Sequence, residues 1–304
     1  MRKTILVLLV SLFVAHSYAF AQGREPFPEV TIPAIYTDEA SQLNYYLAHY
    51  WDRYDFASHS KKYSTEVTGQ AFANFAYLLQ MQSGLGAASA EVVAAVQTML
   101  NKAAVSEDSY WYFLEESEHY FYEPNSPWRN DEFFIPAIDH ALSSKSPLDE
   151  ASKVRYRELR KIVTRNRPGA VATDFAYTTA SGARGRLHAI KAEIVLLYFY
   201  NPGCADCRRV KGMLEESEAV ERLRATGRLK VLALYPDEDL TEWNKYLGEN
   251  PKWWISAYDK GAVIESRSLY DLKAIPALYL LDADKRVVLK DPTPENLLGL
   301  LEML

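Results

Sequence analysis

The spacing of apolar residues divides the chain into two stretches with different periods. From about Asp38 to about Arg165, apolar positions recur every three or four residues, the period of helices with one buried face. The pattern predicts a helix over Ser41–Phe56, with Leu43, Tyr46, Leu47, Tyr50 and Trp51 in phase, and another over Val67–Met81, with Ala71, Phe72, Phe75, Leu78 and Leu79 in phase. A third, over Ser89–Lys102, opens on a Ser in the capping position and carries Val92, Val93, Val96 and Leu100. Further helices are predicted over Tyr110–Tyr122, over Phe133–Ser143 after the turn Pro127-Trp128-Arg129-Asn130, and over Asp149–Val163. Helices joined by short polar links predict an all-α bundle. Arg165-Asn166-Arg167-Pro168-Gly169 is polar and carries a helix-stopping Pro-Gly, which places the domain boundary there.

Beyond the boundary the period shortens. Asp174–Tyr177 and Gly185–His188 predict a hairpin around Ser181-Gly182, and Ile194–Tyr200 is a continuous apolar run of the kind buried on both faces of a sheet. Leu229–Tyr235 is a second buried-strand candidate, and Leu240–Leu247 a short helix. Ala277–Asp282 pairs with Val287–Leu289 across Asp284-Lys285, and Glu295–Met303 closes the chain as a helix. Strand, helix, strand, hairpin and final helix predict an α/β domain whose mixed sheet is flanked by helices.

Ahead of the helical stretch, Met1-Arg2-Lys3 is positive and Ile5–Val14 is an apolar run too short to span a bilayer comfortably. Ala19-Phe20-Ala21 then offers a small-residue cleavage site before Gln22. This is the pattern of a secretory signal peptide, and it predicts export across the inner membrane to the periplasm or cell envelope. The expected organisation is a signal peptide over 1–21, a helical domain over 22–165 and the α/β domain over 166–304. No cysteine near the cleavage site offers a lipid anchor, and no later segment is apolar for long enough to span a bilayer, so a soluble exported protein is expected. With 48% hydrophobic residues the 304-residue chain can bury sizeable cores, and a net charge of −6 argues against nucleic acid, which asks for a basic stripe.

The candidate chemistry lies in Cys204-Ala205-Asp206-Cys207, which holds both cysteines of the chain. It follows the apolar run and the turn Asn201-Pro202-Gly203, and a helical pattern, Arg208 to Leu214, comes next. A helix N-terminus presents unpaired N–H groups and positive dipole, which stabilise a thiolate. Two sulfurs three positions apart across that first turn can close and reopen a disulfide. Zinc would need two more ligands, and no third cysteine exists. A purely structural disulfide over so short a loop would constrain the unfolded chain little. Cys207, Val210, Met213 and Leu214 share one helical stripe, so Cys204 is predicted to be the exposed nucleophile and Cys207 the shielded, resolving thiol. Arg208, Arg209 and Lys211 add positive charge nearby. Asp206 between the sulfurs disfavours thiolate, which tilts the pair toward reduction; Gly203 and Pro202 shape the turn that presents it.

With Tyr198-Phe199-Tyr200-Asn201-Pro202-Gly203-Cys204-Ala205-Asp206-Cys207 and, about seventy residues on, Tyr270-Asp271-Leu272-Lys273-Ala274-Ile275-Pro276-Ala277-Leu278-Tyr279-Leu280-Leu281-Asp282, the chain from Val171 to Leu304 resembles the thioredoxin superfamily. It is most similar to the exported thiol-disulfide oxidoreductases of the cytochrome-maturation type. The resemblance implies a thioredoxin fold and a cis-proline at Pro276, presented after Ile275 and facing the cysteine pair. It also implies a reductase of disulfide-bearing envelope proteins that takes electrons from a membrane-bound thiol donor and needs no cofactor or metal beyond its own dithiol. The helical half is similar to an uncharacterised N-terminal domain attached to such reductases, most recognisably at Tyr122-Glu123-Pro124-Asn125-Ser126-Pro127-Trp128-Arg129-Asn130. Two positions depart from the family: Gly203 stands where Trp often precedes the first cysteine, and Tyr198 stands where thioredoxin itself has a buried Asp.

Other readings compete. A thiol peroxidase would want Thr or Ser at position 201 and Pro at 197, where Asn201 and Leu197 stand. An envelope binding protein would use the helical domain to hold a peptide or glycan, with the strings Tyr110-Trp111-Tyr112-Phe113 and His119-Tyr120-Phe121-Tyr122 as stacking platforms and the other half as scaffold. Such aromatics also serve as bundle core. Glu115 and His119, at i, i+4, have metal-ligand spacing without an evident third ligand, which suits a solvated helix face. Trp253-Trp254 either packs against the sheet or rims the active site.

Overall fold

The computed structural model describes residues 25–237 and 239–304; the expected signal peptide lies outside them. The helical half contains α1 (Glu39–His49), α2 (Thr65–Ser83), α3 (Ala90–Ala103), α4 (Glu107–Phe121), α5 (Asp131–Leu142) and α6 (Glu150–Val163). Each begins where a short polar side chain takes an orphan N–H of the first turn. Asp38, Ser64, Ser89, Ser106 and Asn130 cap α1 to α5, and Asp149 accepts from Ser152 N–H at the start of α6; such a cap contributes about 1 kcal/mol.

The first helix is shorter than its apolar period suggests. It stops at His49, and the chain turns so that Trp51, Tyr54 and Phe56 all enter the core. The Asp55 carboxylate accepts from Ser58 N–H and so caps the short 3-10 turn Phe56–Ser58 that follows. Trp51 then meets Phe113 edge to face at 5.2 Å and Phe75 at 5.6 Å, a geometry that adds about 1 kcal/mol per pair beyond burial. Aromatic surplus is thus largely core: Tyr110, Phe113 and Phe121 are buried, while Trp111, Tyr112, Tyr120 and Tyr122 are half-buried. Polar groups are sealed in with them, His140 among them. His140 Nδ1 meets the Tyr110 hydroxyl at 2.9 Å and its Nε2 meets Asn101 Oδ1 at 3.2 Å. Burial, aided by Lys145, pushes its pKa down to about 4, so the imidazole is neutral.

The α/β half contains β1 (Ala176–Thr179), β2 (Arg184–Arg186), β3 (Ile194–Phe199), α7 (Ala205–Glu216), α8 (Glu218–Ala225), β4 (Leu229–Tyr235), α9 (Leu240–Tyr246), β5 (Ile255–Tyr258), β6 (Ala277–Leu281), β7 (Val287–Lys290) and α10 (Pro294–Met303). The strands form one seven-stranded sheet in the order β2-β1-β5-β4-β3-β6-β7. β4 runs parallel to β3 and β5, and the other pairs are antiparallel. Every residue of β3 is buried, because side chains alternate between two cores. Leu196 and Tyr198 pack in one cluster with α7, α8 and α10, whereas Val195, Leu197 and Phe199 face the other, with Phe175, Tyr270 and Tyr279.

Two elements here escape the sequence pattern. α8 follows α7 with Ser217 serving as the end of one and the cap of the next, so their periods run together. β5 is four residues long with one fully buried position, too little alternation to register. Just ahead of β5, Trp254 is buried against Tyr198 at 5.6 Å, which places it in the core; Trp253 is half-buried, with the Arg224 guanidinium 5.7 Å from its ring centre.

The chain divides into two compact units. One runs to Arg160 apart from Leu85–Ala87, and the other comprises those three residues and Lys161–Leu304. Arg165–Gly169 is woven into the second unit. The Asn166 side chain donates to Leu269 C=O at 2.9 Å and accepts from Thr173 N–H at 2.8 Å; Gly169 N–H donates to Val287 C=O. Among the described residues no helix is long and apolar enough to cross a membrane.

Candidate active site

β3 carries the chain into the site, and the turn Asn201-Pro202-Gly203 reverses it. Gly203 has φ +73°, a left-handed conformation that costs a side-chain-bearing residue about 1 kcal/mol or more. That turn sets Cys204 at the N-cap of α7, where its sulfur accepts the Cys207 backbone N–H at 3.1 Å. A cap position normally held by Ser or Asp oxygen is held here by sulfur, which satisfies an orphan N–H of the first turn. The sulfur is partly exposed, while Cys207 is only 3% exposed.

Cys207 is held as a thiol. Burial pushes its pKa up to about 12, with the hydrogen bond to Cys204 and the charge of Asp206 adding to the rise; a backbone hydrogen bond from Asn201 opposes it. Asp206 itself is exposed and lies 3.6 Å from Arg209. Two further cations line the same cleft: Arg208 donates to Gly203 C=O, and Lys211 donates to Glu249 C=O at 2.7 Å.

The second stretch arrives from β6. Phe199 pairs with Ala277, so the residues before β6 lie beside those after β3. The Ile275–Pro276 peptide bond is cis, and the Ile275 carbonyl accepts from the Cys204 thiol at 3.8 Å. Cys204, Cys207 and Ile275 are thereby brought together, with Pro276 next in chain and half-buried, and with Pro202 and Gly203 forming the lip.

Beneath the sulfurs lies a wall that the motif itself does not announce. Tyr198 and Tyr200 stack at 5.4 Å, and the Tyr198 hydroxyl donates to Cys207 C=O at 2.8 Å. Tyr200 Oη accepts from Trp243 Nε1 and from Asn250 Nδ2, both at 2.9 Å. Trp243 and Asn250 stand more than forty residues from Tyr200, so nothing local in the sequence points to them. The cleft lined by both cysteines, Tyr246 and Asn250 encloses only about 20 Å³, room for about one water. It is too small to enclose an organic ligand.

Comparison with known proteins gives the following relationships. Residues 10–166 match a domain of unknown function (DUF5106), and residues 192–287 match the thioredoxin-like family. A thioredoxin-like protein of Bacteroides caccae ATCC 43185 is 36% identical over 91% of this chain and 98% of its own, with a TM-score of 0.84. The C-terminal domain of an uncharacterized protein from Bacteroides fragilis NCTC 9343 is 44% identical over 45% of this chain and 98% of its own, with a TM-score of 0.44. No curated protein matches the chain.

Proposed function

The chain belongs to the thioredoxin-like family, with a domain of unknown function ahead of the thioredoxin-like domain, and from that premise we propose that it is an exported thiol-disulfide oxidoreductase that reduces protein disulfides through Cys204 and Cys207. The observation that carries this reading is the Cys204 sulfur: half-exposed, capping α7 through Cys207 N–H at 3.1 Å and facing the Ile275 carbonyl.

The reaction follows from the difference between the sulfurs. The Cys204 thiolate attacks one sulfur of a substrate disulfide, forming a mixed disulfide and releasing the other sulfur as thiolate. The Cys207 thiol then gives its proton to a departing thiolate and attacks Cys204 sulfur. The substrate leaves with both sulfurs reduced, one protonated by Cys207 and the other by solvent, and Cys204 and Cys207 remain as a disulfide. The raised pKa of Cys207 keeps it from attacking early, since only its thiolate is nucleophilic. Another turnover needs an external thiol donor; after export that donor is a membrane-bound dithiol, and the substrates are disulfide-bearing proteins of the periplasm or envelope. The residues need no metal or organic cofactor for this exchange.

The test is insulin reduction with dithiothreitol as electron source, together with equilibration of the pair against a glutathione buffer. Wild type is expected to reduce insulin and to titrate with glutathione, and Cys204→Ser is expected to be inert. A pair that resists exchange with glutathione would mark a passive disulfide and overturn the proposal.

A further inference from the structure

The helical half contains a cavity of about 600 Å³ between the start of α2 and the face of α4. Its lining is unbalanced in charge. Glu66, Asp108 and Glu115 contribute three carboxylates, and neither Lys nor Arg lines it. Glu66 and Asp108 stand in the first turns of α2 and α4, where each helix terminus offsets about half a charge. His59 Nε2 lies 3.2 Å from Asp108. Glu115 is two turns into α4 and makes no hydrogen bond or ion pair among the described residues, so the lining stays acidic.

Two aromatic groups in the same lining are left over from the core. Trp111 is half-buried and, unlike Tyr110, Tyr112 and Phe113 beside it, makes no ring contact among the described residues. Tyr112 packs on His59 at 5.0 Å, and its hydroxyl is buried with no hydrogen-bond partner among the described residues. An indole face without a ring partner and carboxylates that only accept hydrogen bonds define a ligand rich in donors and positively charged.

We infer that this cavity binds an organic cation, an alkyl-guanidinium or alkyl-ammonium group, stacked on Trp111 and neutralised by Asp108 and Glu115. The site lies within the helical unit and is independent of the thiol chemistry proposed for Cys204. A neutral saccharide would also stack on an indole, but it would leave the Glu115 carboxylate unanswered.

The test is calorimetric titration of the full-length protein at low salt with acetyl-Gly-Arg-Gly-amide and with agmatine. The neutral isostere acetyl-Gly-citrulline-Gly-amide and maltotriose serve as comparisons. The cationic probes are expected to bind with Kd of about a millimolar and the isostere at least tenfold more weakly. Trp111→Ala is expected to weaken binding about three- to tenfold. Asp108→Asn and Glu115→Gln, near-isosteric changes at exposed carboxylates, are each expected to weaken it about two- to fivefold, with the effect shrinking at high salt. Cys204→Ser is expected to leave binding unchanged, which separates this inference from the redox one. Binding of the peptide alone would identify the source of the cation as polypeptide, and equal binding of agmatine a free amine; either supports the site. Equal binding of the citrulline peptide, preference for maltotriose, or no heat from either cation up to about 10 mM would overturn it.

Discussion

The Tyr198 hydroxyl donates a 2.8 Å hydrogen bond to the Cys207 carbonyl, so the residue six positions before the first cysteine is fastened to the backbone of the second. Burial holds this phenol well above its ordinary range, and the nearby thiols add to that shift. It is therefore a donor that positions the start of α7 and cannot serve as a base for Cys207. Tyr198→Phe is expected to lower stability by about 1 kcal/mol in urea unfolding while insulin reduction stays within about twofold of wild type. A tenfold or greater loss of rate with unchanged stability would show that the hydroxyl handles the proton after all.

The unequal burial of the two sulfurs makes a directional claim. Cys207→Ser is expected to accumulate mixed disulfides with substrates, visible as dithiothreitol-sensitive high-mass bands, because the exposed Cys204 still attacks and nothing resolves the product. Cys204→Ser is expected to accumulate none, since the remaining thiol is buried and its burial disfavours the thiolate. Equal trapping by both variants would refute the assignment of roles.

Much of this was legible in the chain and some was not, for physical reasons. Six helical segments with buried faces, the hairpin before β3 and the fully apolar β3 all leave a local period, and caps such as Ser89 mark their starts. The dithiol was legible because two cysteines at this spacing after a strand and a turn have few other uses. Its surroundings were not: Trp243 and Asn250 reach Tyr200 only through the fold, and α1 stops at His49 although Trp51, Tyr54 and Phe56 beyond it are buried. The acidic cavity was equally invisible, since His59, Asp108 and Trp111 come from segments about fifty residues apart.

The buried His140 predicts an acid weakness in the helical half. Its pKa is lowered to about 4 by burial, against an ordinary value near 6.5. Between those values the unfolded chain binds a proton that the folded one does not, so stability rises with pH through that window and is lost as pH falls from about 6.5 to about 4. The full effect is on the order of 3 kcal/mol. His140→Gln, which can still hydrogen-bond Tyr110 or Asn101, is expected to start less stable at pH 7 and to flatten the slope between pH 6.5 and 4. An unchanged slope in urea midpoints across that range would contradict the burial argument.

The last prediction concerns where the second unit begins. Asn166 is tied to Leu269 and Thr173, Gly169 N–H to Val287, and the Lys290 ammonium donates to the carbonyls of Val163 and Arg165 at 2.8 and 2.9 Å. A fragment starting at Lys161 retains all of these bonds, whereas one starting at Val171 loses them and leaves Leu269 C=O and the Lys290 ammonium without those partners. At about 1 kcal/mol for each lost bond, the shorter fragment is expected to be on the order of 5 kcal/mol less stable in urea. Both are expected to fold, because the sheet and every buried residue of its two cores lie beyond Val171, with only the partly buried Leu85 packed on them from earlier in the chain, and the longer one is expected to reduce insulin at the rate of the full-length protein. Equal stability of the two fragments would show that Val163–Ala170 is a linker despite its hydrogen bonds, and failure of the longer one to fold would show that the thiol-bearing half depends on the helical half.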